Sequence, residues 1–174
     1  MSPIVTNPNW FRSVEPLYEP TEFTGAPLQG VTEGTTTLAQ YIAAGYTYWQ
    51  PGHVADVTSG QVVKSTSGAT SGRFYGLMFS EISTNLDECI GPNIRPVLLQ
   101  GPGLVKVYSA AFKPSYTFAY ADDANHNELV AETGYLIQRA DSGQANAATV
   151  ARLIEVDASG EYIVCELLHP SVTH

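Results

Sequence analysis

Along the second half of the chain, apolar and polar residues alternate in short bursts separated by Gly, Ser, Asn and Asp. In "GLVKVYSA" (103–110), Leu104 alternates with Lys106 and Val105 with Val107, so one side is apolar throughout. That period of two is the signature of a half-buried strand. The same texture predicts strands in "YTYWQP" (46–51), "QVVKST" (61–66), "RFYGLMFSEI" (73–82) and "RPVLLQ" (95–100). It continues in "YTFAYA" (116–121), "GYLIQRA" (134–140), "TVARLIEVD" (149–157) and "EYIVCELLH" (161–169). The last two form the clearest hairpin: Val150, Leu153 and Val156 approach "DASG" (157–160), and Tyr162, Val164 and Glu166 return with period two. Asp157 and Gly160 supply the turn chemistry such a reversal needs. "GPGLVK" (101–106) reads as a Gly-Pro-Gly corner between two strands.

Short strands at a spacing of about 8 to 12 residues predict an all-β fold, a small β-barrel, β-tulip or β-sandwich. No long amphipathic stretch lies between the strands, which disfavours a parallel α/β sheet. "AQYIAAG" (39–45) is compatible with one helical turn stopped by Gly45. The long segment "FSEISTNLDECIGPNI" (79–94) reads as a loop, and loops of that length are usually functional or interfacial.

The front of the chain has a different texture. Residues 1–38 hold five of the eleven prolines and then a Thr-rich run, "GVTEGTTTL". This predicts an extended N-terminal arm (1–38) ahead of a β domain (39–174). Within the arm, "NPNWFRSVEPLYEP" (7–20) fits no helix or strand period. Trp10, Phe11, Tyr18 and Phe23 are costly to leave in water, while Pro8, Pro16 and Pro20 keep the backbone extended and oppose a regular element. Such a segment is expected to dock, on its own globule or on a neighbour, with the aromatic side chains as anchors.

Composition narrows the picture. At 174 residues the chain suits one domain with a real core. Charged residues make up only 14% against 44% apolar, which suggests a surface partly covered by something other than water. The net charge is −9 and the eight Lys and Arg are scattered singly. Without a basic patch, binding to nucleic acid or to an anionic membrane is not expected. Residues 1–25 lack the charged and apolar regions of a signal peptide, and no apolar run approaches the roughly 20 residues of a membrane span. The expected place of action is the cytoplasmic side or a particle assembled there. Cys89 and Cys165 stand alone in no CxxC arrangement and are expected to be reduced, buried and inert.

Catalytic signatures are missing. "GATSG" (68–72) has Ser71 one place late for a nucleophile elbow, and no phosphate-binding GxxxxGK[ST] exists. His53, His126, His169 and His174 lack paired-ligand spacing. In "DDANHNE" (122–128), Asp123, Asn125 and Asn127 alternate as an EF-hand loop begins, but Glu128 and Gly134 stand where glycine and glutamate are required. The carboxylates Asp87 and Glu88, or Glu128 and Glu132, are placed by nothing in the sequence across a cleft. Tyr46, Tyr48 and Trp49, with Phe74, Tyr75 and Phe79, allow either core packing or an aromatic face that stacks a sugar. The reading is a protein without catalysis, cofactor or metal.

The run "YWQPGHVADVTSGQVVKSTSGATSGRFYGLMFSE" (48–81) resembles the opening segment of tailed-phage head decoration, or cement, proteins. Those show an aromatic residue, Pro-Gly, a strand, a Gly-containing turn, a second strand and an apolar Gly-Leu step. Here Trp49, Pro51, Gly52, Val54, Gly60, Val62, Val63, Gly76 and Leu77 take those places. The tail 134–168 is similar to the closing hairpin of the same family, while the arm 1–38 departs from its smallest members. The resemblance implies a compact β domain on the outside of an icosahedral phage capsid, bound to the major capsid protein as a homotrimer, with a terminal arm clamping adjacent capsomers. Two rivals stand beside it: a tail-tube or head–tail joining subunit using the 79–94 loop, and a glycan-binding β-module using Tyr46, Tyr48 and Trp49.

Overall fold

The computed structural model describes residues 14–19, 21–23, 52–58, 60–65, 76–78, 98–143 and 148–168. Eleven strands fall within them: β1 (Val14–Pro16), β2 (Thr21–Phe23), β3 (Val54–Thr58), β4 (Gln61–Lys64), β5 (Gly76–Met78), β6 (Leu98–Gln100), β7 (Gly103–Tyr108), β8 (Glu128–Glu132), β9 (Tyr135–Gln138), β10 (Thr149–Val156) and β11 (Tyr162–Leu167). They form two antiparallel sheets, ordered β1-β7-β11-β10-β8-β9 and β2-β6-β5-β3-β4. The fold is all-β, as expected, and of the expected alternatives it matches the sandwich: two sheets rather than one closed barrel. An apolar core cluster joins Val54, Leu77 and Leu99 of the smaller sheet to Val105, Val107, Leu129, Leu153, Ile163 and Leu167 of the larger.

The alternation in β7 has its expected result: Val105 and Val107 are buried, and Leu104 is exposed. The β10–β11 hairpin also forms, with Leu153 opposite Cys165 and Arg152 opposite Glu166. A bulge between Leu153 and Glu155 breaks the period of β10. In the return strand Ile163, Cys165 and Leu167 enter the core, and of Tyr162, Val164 and Glu166 on the other face only Val164 is also buried.

The β8–β9 hairpin closes through Thr133 (φ 50°) and Gly134 (φ 86°), with Glu132 opposite Tyr135. Two successive positive φ angles match the primed turn that suits the twist of paired strands. Gly134 also ties the sheets together. Its amide donates to the Ser65 carbonyl at 3.0 Å, and its carbonyl accepts the Val54 amide at 2.7 Å.

The segment 109–127, which follows β7, corrects one expectation. "YTFAYA" (116–121) is not a strand. Its Phe118 enters the core, and Tyr116 covers Val130 and Ile137 on the outer side of β8–β9. The backbone of Ala119 finds its partners on a side chain: the Ala119 amide donates to Gln138 Oε1 at 2.8 Å, and Gln138 Nε2 donates to the Ala119 carbonyl at 2.9 Å. The alternation of rings there records packing rather than a ladder. A single helical turn, α1 (Ala124–Asn127), ends the segment.

Candidate functional site

Of the predicted arm, residues 14–19 and 21–23 are described, and both stretches are built into the sheets. β1 pairs with β7 (Val14 opposite Val107, Glu15 opposite Lys106, Pro16 opposite Val105). β2 pairs with β6 (Thr21 opposite Gln100, Glu22 opposite Leu99, Phe23 opposite Leu98). Each is an edge strand, one of each sheet. β6 and β7 follow each other in the chain through a cis Gly101–Pro102 bond and carry it from the smaller sheet to the larger. Residues 14–19 and 21–23 therefore run antiparallel to that corner, one stretch on each sheet. An edge strand leaves unpaired amides and carbonyls that invite another chain; here the N-terminal segment takes up one side of both β6 and β7.

Tyr18 holds the first stretch at that corner. Its hydroxyl donates to the Gln100 carbonyl at 2.7 Å, and the preceding Leu17 amide donates to the Leu104 carbonyl at 2.9 Å. Its ring lies against Gly103, where a β-carbon would come within 2.5 Å of three ring atoms. Burial, and secondarily the neighbouring Cys165, hold the Tyr18 hydroxyl above its ordinary pKa. Glu15 accepts a hydrogen bond from the Tyr108 hydroxyl at 2.8 Å on the solvent side of the larger sheet. Beside it, Lys106 Nζ sits 4.6 Å from the centre of the Tyr162 ring, and the Tyr108 and Tyr162 rings are 5.8 Å apart. Leu17 is about half exposed at 47%.

Of the seven predicted arm residues, Tyr18 and Pro16 thus come together at this corner, with the backbone of Phe23 in β2. Pro8, Trp10, Phe11 and Pro20 lie outside the described residues, as do Cys89, the 79–94 loop, Tyr46, Tyr48, Trp49, Phe74, Tyr75, Phe79, Asp87, Glu88, His169 and His174.

The other singled-out groups are structural where they are described. His53 is buried and packs edge-on against Tyr135, centroids 4.9 Å apart. His126 Nδ1 lies 2.9 Å from Asp123 Oδ2, both exposed. Asn127 uses both ends of its amide on the Ala121 backbone. Glu128 pairs with Arg139 (2.6 Å), which also donates to Thr149 Oγ1, and Glu132 pairs with Lys113. These two carboxylates of β8 therefore brace the strand against its neighbours instead of facing each other. Among the described residues, no three His, Cys, Asp or Glu side chains gather as a metal-binding group, and no helix is long and apolar enough to cross a membrane.

A cleft that the sequence did not announce lies between the 109–118 segment and the β10–β11 turn. Its volume is about 580 Å³. One wall carries Phe112, Tyr116 and Phe118, with Lys113, Ser115 and Thr117; the other is the turn Asp157–Gly160 with Tyr162. Phe118 meets Phe112 and Tyr116 edge-to-face, each at 4.8 Å. Tyr116 was read as a strand residue and Asp157 as turn chemistry; no periodicity could have brought them to one cleft.

The chain matches no family model, no curated protein and no solved structure.

Proposed function

We propose that this is a structural virion protein, a decoration protein that binds the outside of an icosahedral phage capsid and reinforces it. The observation that carries the reading is the seating of residues 14–19 and 21–23. They sit on the two sheets at one corner, so the aromatic-proline stretch just before Val14 starts from a fixed point beside β7. Trp10 and Phe11 are within four residues of Val14, a reach of no more than about 14 Å of extended chain. An apolar anchor on a short tether loses little freedom when it enters a partner's pocket.

A second support is the surface. A net charge of −9 with few cations keeps such a protein soluble and repels it from packaged nucleic acid. Stabilisation by attachment needs no chemistry: a ligand that binds only the assembled shell shifts its equilibrium toward the intact form. In this reading the partner is the major capsid protein and the bound form is a homotrimer.

The test is co-sedimentation with empty shells made from the major capsid protein of the same virus. Wild-type protein is expected to saturate the shells and raise their melting temperature. Trp10→Ala with Phe11→Ala should keep the native far-ultraviolet spectrum and cooperative unfolding and lose most of the occupancy. Normal occupancy of the double variant would remove the anchor role, and no binding by the wild type would remove the function.

A further inference from the structure

The cleft between 109–118 and the β10–β11 turn has a lining that the shell reading leaves unused, and we infer that it is a binding site for a small uncharged saccharide. Its volume, about 580 Å³, lies within the range of roughly 300–1,000 Å³ typical of small-molecule sites. The lining combines two kinds of group in close alternation. Rings come from Phe112, Tyr116, Phe118 and Tyr162, and hydroxyls come from Ser109, Ser115, Thr117 and Ser159. Apolar ring surface suits the C–H faces of a pyranose, and hydroxyls that both donate and accept suit its O–H groups.

The charges in the cleft point to a neutral ligand. Lys113 is already paired with Glu132, and the Asp157 carboxylate accepts from the Ser159 hydroxyl and the Glu161 amide of its own turn. Lys113 is thus balanced by a carboxylate, while Asp157 keeps its negative charge but directs its oxygens into its own turn. That charge disfavours an anionic ligand, and no cation in the lining is left unbalanced to attract one. The walls are also held before any ligand arrives. Tyr162 has Lys106 over its ring and Tyr108 beside it, while Tyr116 is fixed by Asp141 and the Gln138 amide. Rigid walls lower the ordering cost of binding. Ser115, at φ 64°, holds a left-handed conformation at the lip of the cleft. Such strain in a non-glycine residue persists only where its surroundings impose it.

The test uses the isolated full-length chain, so its result is independent of shell attachment. Amide chemical shifts would be followed by NMR while titrating methyl glycosides of glucose, galactose, mannose and N-acetylglucosamine, then maltose, cellobiose, lactose and chitobiose. Glucosamine and glucuronic acid serve as charged controls. The expected result is saturable shifts confined to Ser109–Phe118 and Val156–Tyr162 for at least one neutral sugar, with weaker response to the charged ones. Thr117→Arg fills the cleft from an exposed position and should weaken that sugar roughly tenfold or more with the fold intact. Ser159→Lys, on the opposite wall, should do the same if the first variant folds poorly.

No shift from any neutral sugar, shifts elsewhere, or preference for a charged sugar would each overturn the inference. So would shifts at the same amides on concentrating the protein alone, since the cleft would then hold a second copy of the chain.

Discussion

The ring of Tyr18 occupies the space that a side chain on Gly103 would need. A β-carbon there would lie 2.5 Å from three atoms of the ring, closer than packed atoms can approach. This contact, with the hydrogen bond from Tyr18 to the Gln100 carbonyl, holds the N-terminal segment over the corner between β6 and β7. Gly103→Ala should therefore displace Tyr18 and also strain the first residue of β7, whose φ of 159° suits glycine, at a cost of about 1–3 kcal/mol or more as an overpacking substitution. Limited proteolysis checks it: faster cleavage near residues 17–20, with 98–168 still resistant. Tyr18→Phe keeps the ring and removes one hydrogen bond, so its cost should be smaller, about 1 kcal/mol by denaturant unfolding.

Gln138 is the pin of the 109–127 segment. It is 4% exposed, and its side chain bonds both backbone groups of Ala119 and the carbonyl of His126. Gln138→Ala removes three hydrogen bonds to Ala119 and His126, residues exposed enough for water to replace part of each, so each lost bond costs about 0.5–1.5 kcal/mol. The expected outcome is a fall of a few kcal/mol in unfolding free energy, with amide exchange accelerated across 116–127 before it rises in β10 and β11. Uniform acceleration over the whole domain would show that the segment is not held by this residue.

How much of this was legible follows from which force shaped each element. β7 exposes one face, so its alternation could be read directly, as could the Asp157–Gly160 turn. The bulge in β10 and the burial of Val164 beside Ile163 and Cys165 in β11 blur the period in the hairpin that flanks the turn. β8 could not be read: Leu129, Val130 and Ala131 are all buried because the 109–127 segment covers the outer side of the β8–β9 pair. A strand covered on both faces loses its period of two. β1 and β2 escaped for another reason. Three residues each, with Pro16 inside β1, they carry too little pattern to register, and edge position is what permits the proline. The anchoring of Tyr18 was legible as the need of an aromatic ring for a partner; its partner, Gly103, was not, because a missing side chain leaves no apolar signal. The cleft was least legible, since it joins segments some 40 residues apart whose residues follow turn and packing rules of their own.

Asp157 should make the β10–β11 turn sensitive to acid. Its carboxylate accepts first from the Ser159 hydroxyl and then from amides of the turn, including Glu161, which holds its pKa below the ordinary carboxylate value. A depressed folded-state pKa contributes stability that is present above the unfolded value and lost as pH falls through the folded one. NMR titration should find Asp157 titrating below an unstructured aspartate. Asp157→Asn should abolish the acid dependence of the turn amides while leaving the neutral-pH fold in place. A normal Asp157 titration would mean that the turn does not depend on its charge.

Cys165 gives the sharpest chemical readout of the core. The thiol is unpaired and fully buried between β7 and β10, and burial pushes its pKa up to about 12. The reactive species is the thiolate, so two barriers act together: reagent cannot reach the sulfur, and at pH 8 almost none of it is ionised. Alkylation of the native protein with iodoacetamide, mapped by peptide mass spectrometry, should leave Cys165 unmodified over hours, with complete modification once denaturant unfolds the domain. Because Tyr18 packs against the core cluster that contains Cys165, the same measurement reports on the N-terminal segment. Gly103→Ala, by lifting Tyr18, should let the reagent reach Cys165 in the folded protein. Equal protection in that variant would mean that the sheets close over the sulfur without the segment's help.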